Sequence, residues 1–335
     1  MAIRVIVVGM GARGRDWARE IRRTPGFELT ACVDTDTTVK QQAGLASDDC
    51  YEDLKEALEK TRSDAVIIAT PADCHSESCR QALSRGLAVV VEKPFTTKLR
   101  EAATLVSLAT EKRKPLIVAQ NYRYMRSFRT ARRLISEGVL GPVGMVVCQY
   151  YRVPREMAAS LARLPDSIMW GIGVHHLDML RYALAQEVTA VIADSFSVPW
   201  STLPKGASMR LMLTFAGGTR AVYNATYESS GHEFFERGQE FYARFVGERA
   251  TLHIFQRWLL LCEKGKLPRL ARRGPRKVTE EQVLLGQLEQ ALLTGAEPDS
   301  SGRDNLRTMA VVEACIRSAE EKRWINPQEL LDELE

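Results

Sequence analysis

The stretch "VIVVGMGARGRDWA", Val5 to Ala18, constrains this chain more than any other: a short apolar run enters a Gly9-x-Gly11-x-x-Gly14 turn that opens an amphipathic helix. Gly9 permits a tight turn, Gly11 lets the backbone approach a pyrophosphate, Gly14 lets helix and strand pack closely, and the helix N-terminus attracts phosphate. Taken alone, the motif reads equally as a glycine-rich turn without a ligand. Here the next apolar run, "LTACVD", ends in Asp34, about 20 residues past the last glycine. A carboxylate there hydrogen-bonds the adenosine ribose and repels a 2′-phosphate. The context selects a dinucleotide, with Gly9, Gly11, Ala12, Arg13, Gly14 and Asp34 as its first contacts. Asp34 and Asp36 favour NAD, while Arg13 and Arg15 in the loop leave NADP open.

The same alternation continues to about residue 120. Apolar runs at Ala65 to Ala69, Ala88 to Val91 and Leu116 to Ala119 are separated by helical segments at His75 to Arg85 and Lys98 to Lys112, with two further helical stretches before Lys60. Strands buried on both faces read this way, so residues 1–122 are expected to form a doubly wound parallel sheet, an α/β Rossmann domain. A chain of 335 residues suggests two domains. Residues 123–335 begin with a helix at Phe128 to Glu137. Longer strand-like runs follow at Val188 to Val198, Ser208 to Phe215, Arg220 to Glu228, Glu240 to Val246 and Ala250 to Phe255, with hairpin signals at Gly217-Gly218 and Gly247-Glu248. This half reads as an α+β domain with an open, mainly antiparallel sheet. Two helices, Glu280 to Leu293 and Arg303 to Lys322, finish the chain, the last expected to pack back on the first domain. Residues 265–277 read as a basic solvated loop.

Composition closes several other routes. Hydrophobic residues make up 45% and charged residues 26%, which suits neither a disordered chain nor a disulfide scaffold. The net charge of +4 is mild and the basic clusters carry no aromatic interleaving, so no nucleic-acid partner is expected. No run approaches the ~20 apolar residues of a membrane span. The seven cysteines include no CxxC pair and read as reduced packing residues, which implies a cytoplasmic home.

At the C-terminal end of the fourth strand stands "VVVEKPF", where ligands of open α/β sheets bind. Glu92 and Lys93 emerge there, and a lysine so placed can hold a substrate hydroxyl or exchange its proton. The plain alternative is a surface lysine before a helix-starting proline, and spacing alone does not separate the two. A second candidate stretch is "IMWGIGVHHLDML", residues 168–180, read as one helix. Gly171, His175 and Asp178 share a face at i, i+4 and i+7, while His176 points elsewhere. Two adjacent histidines without a spaced third ligand do not suggest a metal.

Together, "GMGARG", "ATPADCHSE", "ALSRGLAVVVEKP", "AQNYRY", "EGVLGPVG" and "GVHHLDML" closely resemble the Gfo/Idh/MocA family, relatives of glucose-fructose oxidoreductase and inositol dehydrogenase. The resemblance runs through essentially the whole chain. It implies NAD(P)-dependent oxidation or reduction of a sugar, polyol or related hydroxyl compound, and dimer or tetramer contacts through the C-terminal sheet. It also implies Lys93 and His175 as the residues that assist proton transfer. Thr70, Pro71, His75, Glu92 and Asn121 fall beside the cofactor, and Asp178, Arg123, Tyr151, Arg152 and Trp170 in the substrate pocket, with packing an equal reading for the last three. In the family pattern D-x-G-x-H-x-x-D, Gly171 stands where the first aspartate belongs. That departure keeps two other readings open: redox-neutral use of tightly held NAD for elimination, hydrolysis or epimerisation, and a nucleotide-binding sensor or partner protein with little turnover.

Overall fold

The computed structural model describes residues 2–36, 38, 49–153, 165–201, 203, 206–229, 239–255, 258–272 and 278–334. The chain divides into two compact units, residues 1–121 with 277–306, and residues 122–276 with 307–335. The expectation gave 123–335 to the second unit and had the last helix pack back on the first, whereas residues 307–335, most of that helix included, fall in the second. Residues 277–306 instead return to the first, because the apolar side of one helix there is buried in the first unit, at Leu284, Leu285, Leu288 and Ala291.

In the first unit β1 (Ile3–Val8), β2 (Phe27–Val33), β3 (Cys50–Tyr51), β4 (Ala65–Ile68), β5 (Ala88–Val91) and β6 (Leu116–Val118) form one parallel sheet ordered 3-2-1-4-5-6. That order is the Rossmann arrangement, in which the strand sequence reverses beside β1 and leaves a crevice for a dinucleotide. Val5, Ile6 and Val7 are fully buried, as a central strand covered on both faces requires. Helices α1 (Ala12–Arg23), α2 (Leu54–Lys60), α3 (His75–Ser84) and α4 (Leu99–Lys112) are the crossovers. The first of the two helical stretches expected before Lys60 lies outside the described residues. The edge strand β3 was missed because two residues carry no periodicity.

In the second unit α5 (Arg126–Ser136) precedes an eight-stranded sheet in the order 14-13-12-11-7-10-9-8. Its strands are β7 (Val143–Arg152), β8 (Val188–Phe196), β9 (Ser208–Phe215), β10 (Arg220–Thr226), β11 (Gln239–Gly247), β12 (Ala250–Phe255), β13 (Trp258–Glu263) and β14 (Arg269–Leu270). All pairs are antiparallel except β7 with β10. Both glycine hairpins form, between β9 and β10 and between β11 and β12. The strand β14 falls in the segment read as a basic loop.

The stretch expected to be one helix is two elements. Met169–Gly173 is a π-turn, closed by the Val174 N–H on the Met169 carbonyl, and α6 (Val174–Leu184) follows. An i→i+5 turn holds an extra residue, so the segment Met169–Gly173 departs from the regular α-spacing assumed for a single helix. The chain continues through α7 (Glu280–Thr294), capped by a reciprocal Thr279–Gln282 box, then α8 (Gly302–Glu321) and α9 (Pro327–Asp332). No described helix is long and apolar enough to cross a membrane.

Candidate active site

The glycine loop of the first unit is shaped as its spacing demands. Gly9 has φ +85°, and a Cβ there would lie 2.7 Å from the Thr70 amide nitrogen; a Cβ on Gly14 would lie 1.8 Å from the Gly9 carbonyl oxygen. A Cβ on Gly11 would meet nothing within 4 Å, so the loop is open on the side where a pyrophosphate approaches. Ala12 begins α1, whose first turn has no acidic residue and whose N-cap, Gly11, brings no side chain to the N–H groups. Those donors are left for an anion. The Asp34 carboxylate accepts the Met10 N–H at 2.6 Å and the Asp36 N–H at 2.9 Å, which fixes it at the end of β2. These residues fit a dinucleotide.

Arg13 and Arg15 point to other tasks than a 2′-phosphate. Arg15 donates to the carbonyl of Met10 at 3.1 Å. Arg13 donates to Glu92 through Nε at 2.9 Å and Nη2 at 2.6 Å, and to Glu281 of α7 at 3.1 Å; Trp17 Nε1 donates to the same Glu92 oxygen at 2.9 Å. Glu281 went unnoticed in the sequence because it lies 268 residues from Arg13 along the chain. Through Glu92 the loop is fastened to Lys93, which sits on a cis Lys93–Pro94 bond after β5. Burial pushes the Lys93 ammonium pKa below its ordinary value and Arg13 pushes the same way, against the opposing pull of Glu92.

Thr70 and Pro71 follow β4, and Asn121 follows β6, on the same C-terminal side of the sheet. His75 is buried with Nδ1 at 2.8 Å from the Pro94 carbonyl oxygen and Nε2 at 2.9 Å from that of Thr70. Burial lowers its pKa, with the two carbonyls pulling back. The imidazole thus spans two loops of the candidate cofactor site.

In the second unit Tyr122 stacks on His175, ring centroids 4.0 Å apart and planes 9° from parallel. The next residue, Arg123, grips Asp178 of α6 with Nε at 2.5 Å and Nη2 at 2.6 Å, both residues under 4% exposed. Asp178 also accepts Thr308 Oγ1 at 2.9 Å, while Arg181 donates to Thr308 and to Glu187. Arg123 and Asp178, placed in the substrate pocket by the sequence reading, therefore hold each other, and together they fix the helix that carries His175. His176 shares the Tyr122 ring, 6.1 Å away and tilted, but has its own further partners: its Nδ1 meets Tyr223 Oη at 2.5 Å, and the rings of Tyr150, Tyr223 and Phe241 surround it.

Strand alternation separates Tyr151 from Arg152, since Cys148, Tyr150 and Arg152 of β7 share one face and Tyr151 the other. The Arg152 guanidinium lies over the Tyr227 ring at 5.6 Å, and its buried Nε has no hydrogen-bond partner among the described residues. Tyr151 is half-buried near Glu240, and Trp170 is buried in the π-turn. The period-two pattern of "CQYYR" was the available signal for Tyr150, which the sequence reading missed. Among the described residues no cluster of histidine, cysteine and carboxylate side chains is arranged for a metal ion.

Comparison with known proteins adds to this geometry. Residues 3–120 match a family model described as "Oxidoreductase family, NAD-binding Rossmann fold", and residues 128–253 match the model of the GFO/IDH/MocA C-terminal domain. The chain is 27% identical over 340 residues to D-apiose dehydrogenase of Paraburkholderia graminis, covering 97% of this chain and 89% of that one. It is 24% identical over 354 residues to inositol 2-dehydrogenase of Rhizobium meliloti, covering 97% and 99%. Its fold matches, with a TM-score of 0.89 at 20% identity, an oxidoreductase from Agrobacterium radiobacter solved with NAD+, L-tartaric acid and magnesium, covering 98% and 100% of the chains.

Proposed function

Since the chain belongs to the GFO/IDH/MocA oxidoreductase family, we propose that it is an NAD-dependent dehydrogenase acting on a CH–OH group of a sugar or polyol. The observation that carries this reading is the ion pair that joins the nucleotide loop to the strand end. Arg13 of the glycine turn holds Glu92, and the adjoining residue is a desolvated lysine. The relatives named for D-apiose and inositol supply the substrate class.

Nicotinamide, when bound, supplies the hydride acceptor or donor. Gly9, Gly11, Ala12 and Gly14 would hold the pyrophosphate against the start of α1, and Asp34 the adenosine ribose; with Arg13 and Arg15 both engaged inside the protein, NAD is favoured over NADP. Lys93 holds the reacting oxygen and takes or gives its proton, a task suited to an amine that burial has made easier to deprotonate. His175, fixed by the Tyr122 stack and the Arg123–Asp178 clamp, relays the proton. Arg152, with its unsatisfied Nε, is the strongest candidate for a substrate hydroxyl or carboxylate.

The test is absorbance of reduced nicotinamide across a panel of sugars and polyols, with Lys93→Met beside the wild type. The wild type should turn over at least one of them with NAD, and Lys93→Met should lose about 10²- to 10⁴-fold in kcat while still binding NAD. Tight NAD binding without turnover on any of them would sink the dehydrogenase reading.

A further inference from the structure

Two cysteines meet at the edge of the nucleotide sheet. Cys32 of β2 and Cys50 of β3 are direct partners in the parallel ladder, and their Sγ atoms lie 3.0 Å apart. Cys32 is fully buried and Cys50 is partly exposed. No other pair among the seven cysteines is recorded so close, and burial raises the thiol pKa of Cys79, Cys148 and Cys315, which keeps those three unreactive.

We infer that Cys32 and Cys50 form a reversible oxidation site, closing to a disulfide when a low-molecular-weight disulfide is present. The partly exposed Cys50, as its thiolate, attacks a sulfur of the oxidant. One thiol leaves and a mixed disulfide remains on Cys50. Cys32 gives up its proton and attacks the Cys50 sulfur, releasing the second thiol. Two protein thiols are oxidised to one disulfide, and the small disulfide is reduced to two thiols.

The bond closes at the nucleotide end. Cys32 stands two residues before Asp34, and the Asp34 N–H donates to the carbonyl of Tyr51, next to Cys50, at 3.1 Å. Among the described residues β3 is a two-residue edge strand paired with β2 alone. A covalent bond there holds in place the turn that carries the carboxylate. Ordering a site in advance of its ligand tightens binding, by about 2- to 5-fold for a change this local. This consequence rests on the NAD reading, whereas the oxidation itself does not.

The experiment uses the full chain, reduced, freed of reductant and incubated with oxidised glutathione. Peptide mapping without reduction should recover a Cys32–Cys50 linked pair, with two of the seven thiols lost and both restored by dithiothreitol. Cys32→Ser should stop at a lasting glutathione adduct on Cys50, and Cys50→Ser should give no link. Links joining other cysteines, or glutathione adducts alone in the wild type, would overturn the site. NAD titrated into the two redox forms should bind the oxidised form more tightly; equal affinities overturn the coupling to Asp34. Absence of NAD binding in both forms would count against the cofactor reading, while the peptide map still decides whether the pair oxidises.

Discussion

Arg13 shows how one side chain can serve two parts of a site. It stands in the glycine turn, where a cation would ordinarily be assigned to the cofactor's phosphates, yet it lies against Glu92 and Glu281. Its charge opposes the protonated form of Lys93, and Glu92 favours that form. Replacing Arg13 by Met removes the first influence and leaves the second, so the Lys93 pKa rises. If the neutral amine accepts the proton in alcohol oxidation, activity climbs as pH passes the Lys93 pKa, and in Arg13→Met that climb moves to higher pH. A pH profile of kcat with saturating NAD measures this. A lower but unshifted profile would mean that Arg13 serves only the cofactor or the fold. Nothing in the local sequence pointed to this role: GxGxxG and EKP are each legible as motifs, but the ion pair linking them joins residues 79 apart.

Among the elements, the helix with the two histidines was the most informative in the sequence and the most altered in the structure. Its apolar pattern located α6, and helical spacing set His175 and His176 in different directions; in the structure His175 stacks on Tyr122 and His176 meets Tyr223. The π-turn was not legible, because "IMWGIG" is compatible with any compact buried helix and the extra residue shows only in the backbone. Asp178 was legible as a motif residue, but its bonds to Arg123 and Thr308 were not, since those partners lie 55 and 130 residues away. The clamp makes a strong prediction for this element. Asp178→Ala removes the carboxylate that Arg123 and Thr308 both hold, and breaking a buried ion pair by removing one partner costs about 3–5 kcal/mol. Denaturant unfolding should show that loss, together with a fall in kcat as His175 loses its support. A loss under about 1 kcal/mol would mean that solvent or a neighbouring group already compensates Arg123.

At the scale of the whole molecule, the fold class was legible because parallel and antiparallel strands differ in apolar patterning over many residues. The return of residues 277–306 was not, because an amphipathic helix does not state which unit it covers. The sheet of the second unit raises a related question of cover. Its strands alternate, and one face carries Ile192, Met212, Val222 and Val147 side by side across β8, β9, β10 and β7, with Met145 and Met212 about half exposed. An apolar row of this kind on an open sheet face suits a second copy of the same surface, since a two-fold interface sets each patch against itself. The chain is therefore expected to be a homodimer or a dimer of dimers through this face. Met212→Lys together with Val222→Lys places cations in the middle of the row and should shift the sedimentation coefficient to that of a monomer, with the circular dichroism of the fold unchanged. An unaltered oligomer would place the interface elsewhere, and a wild type that sediments as a monomer would leave this face with no partner of its own kind.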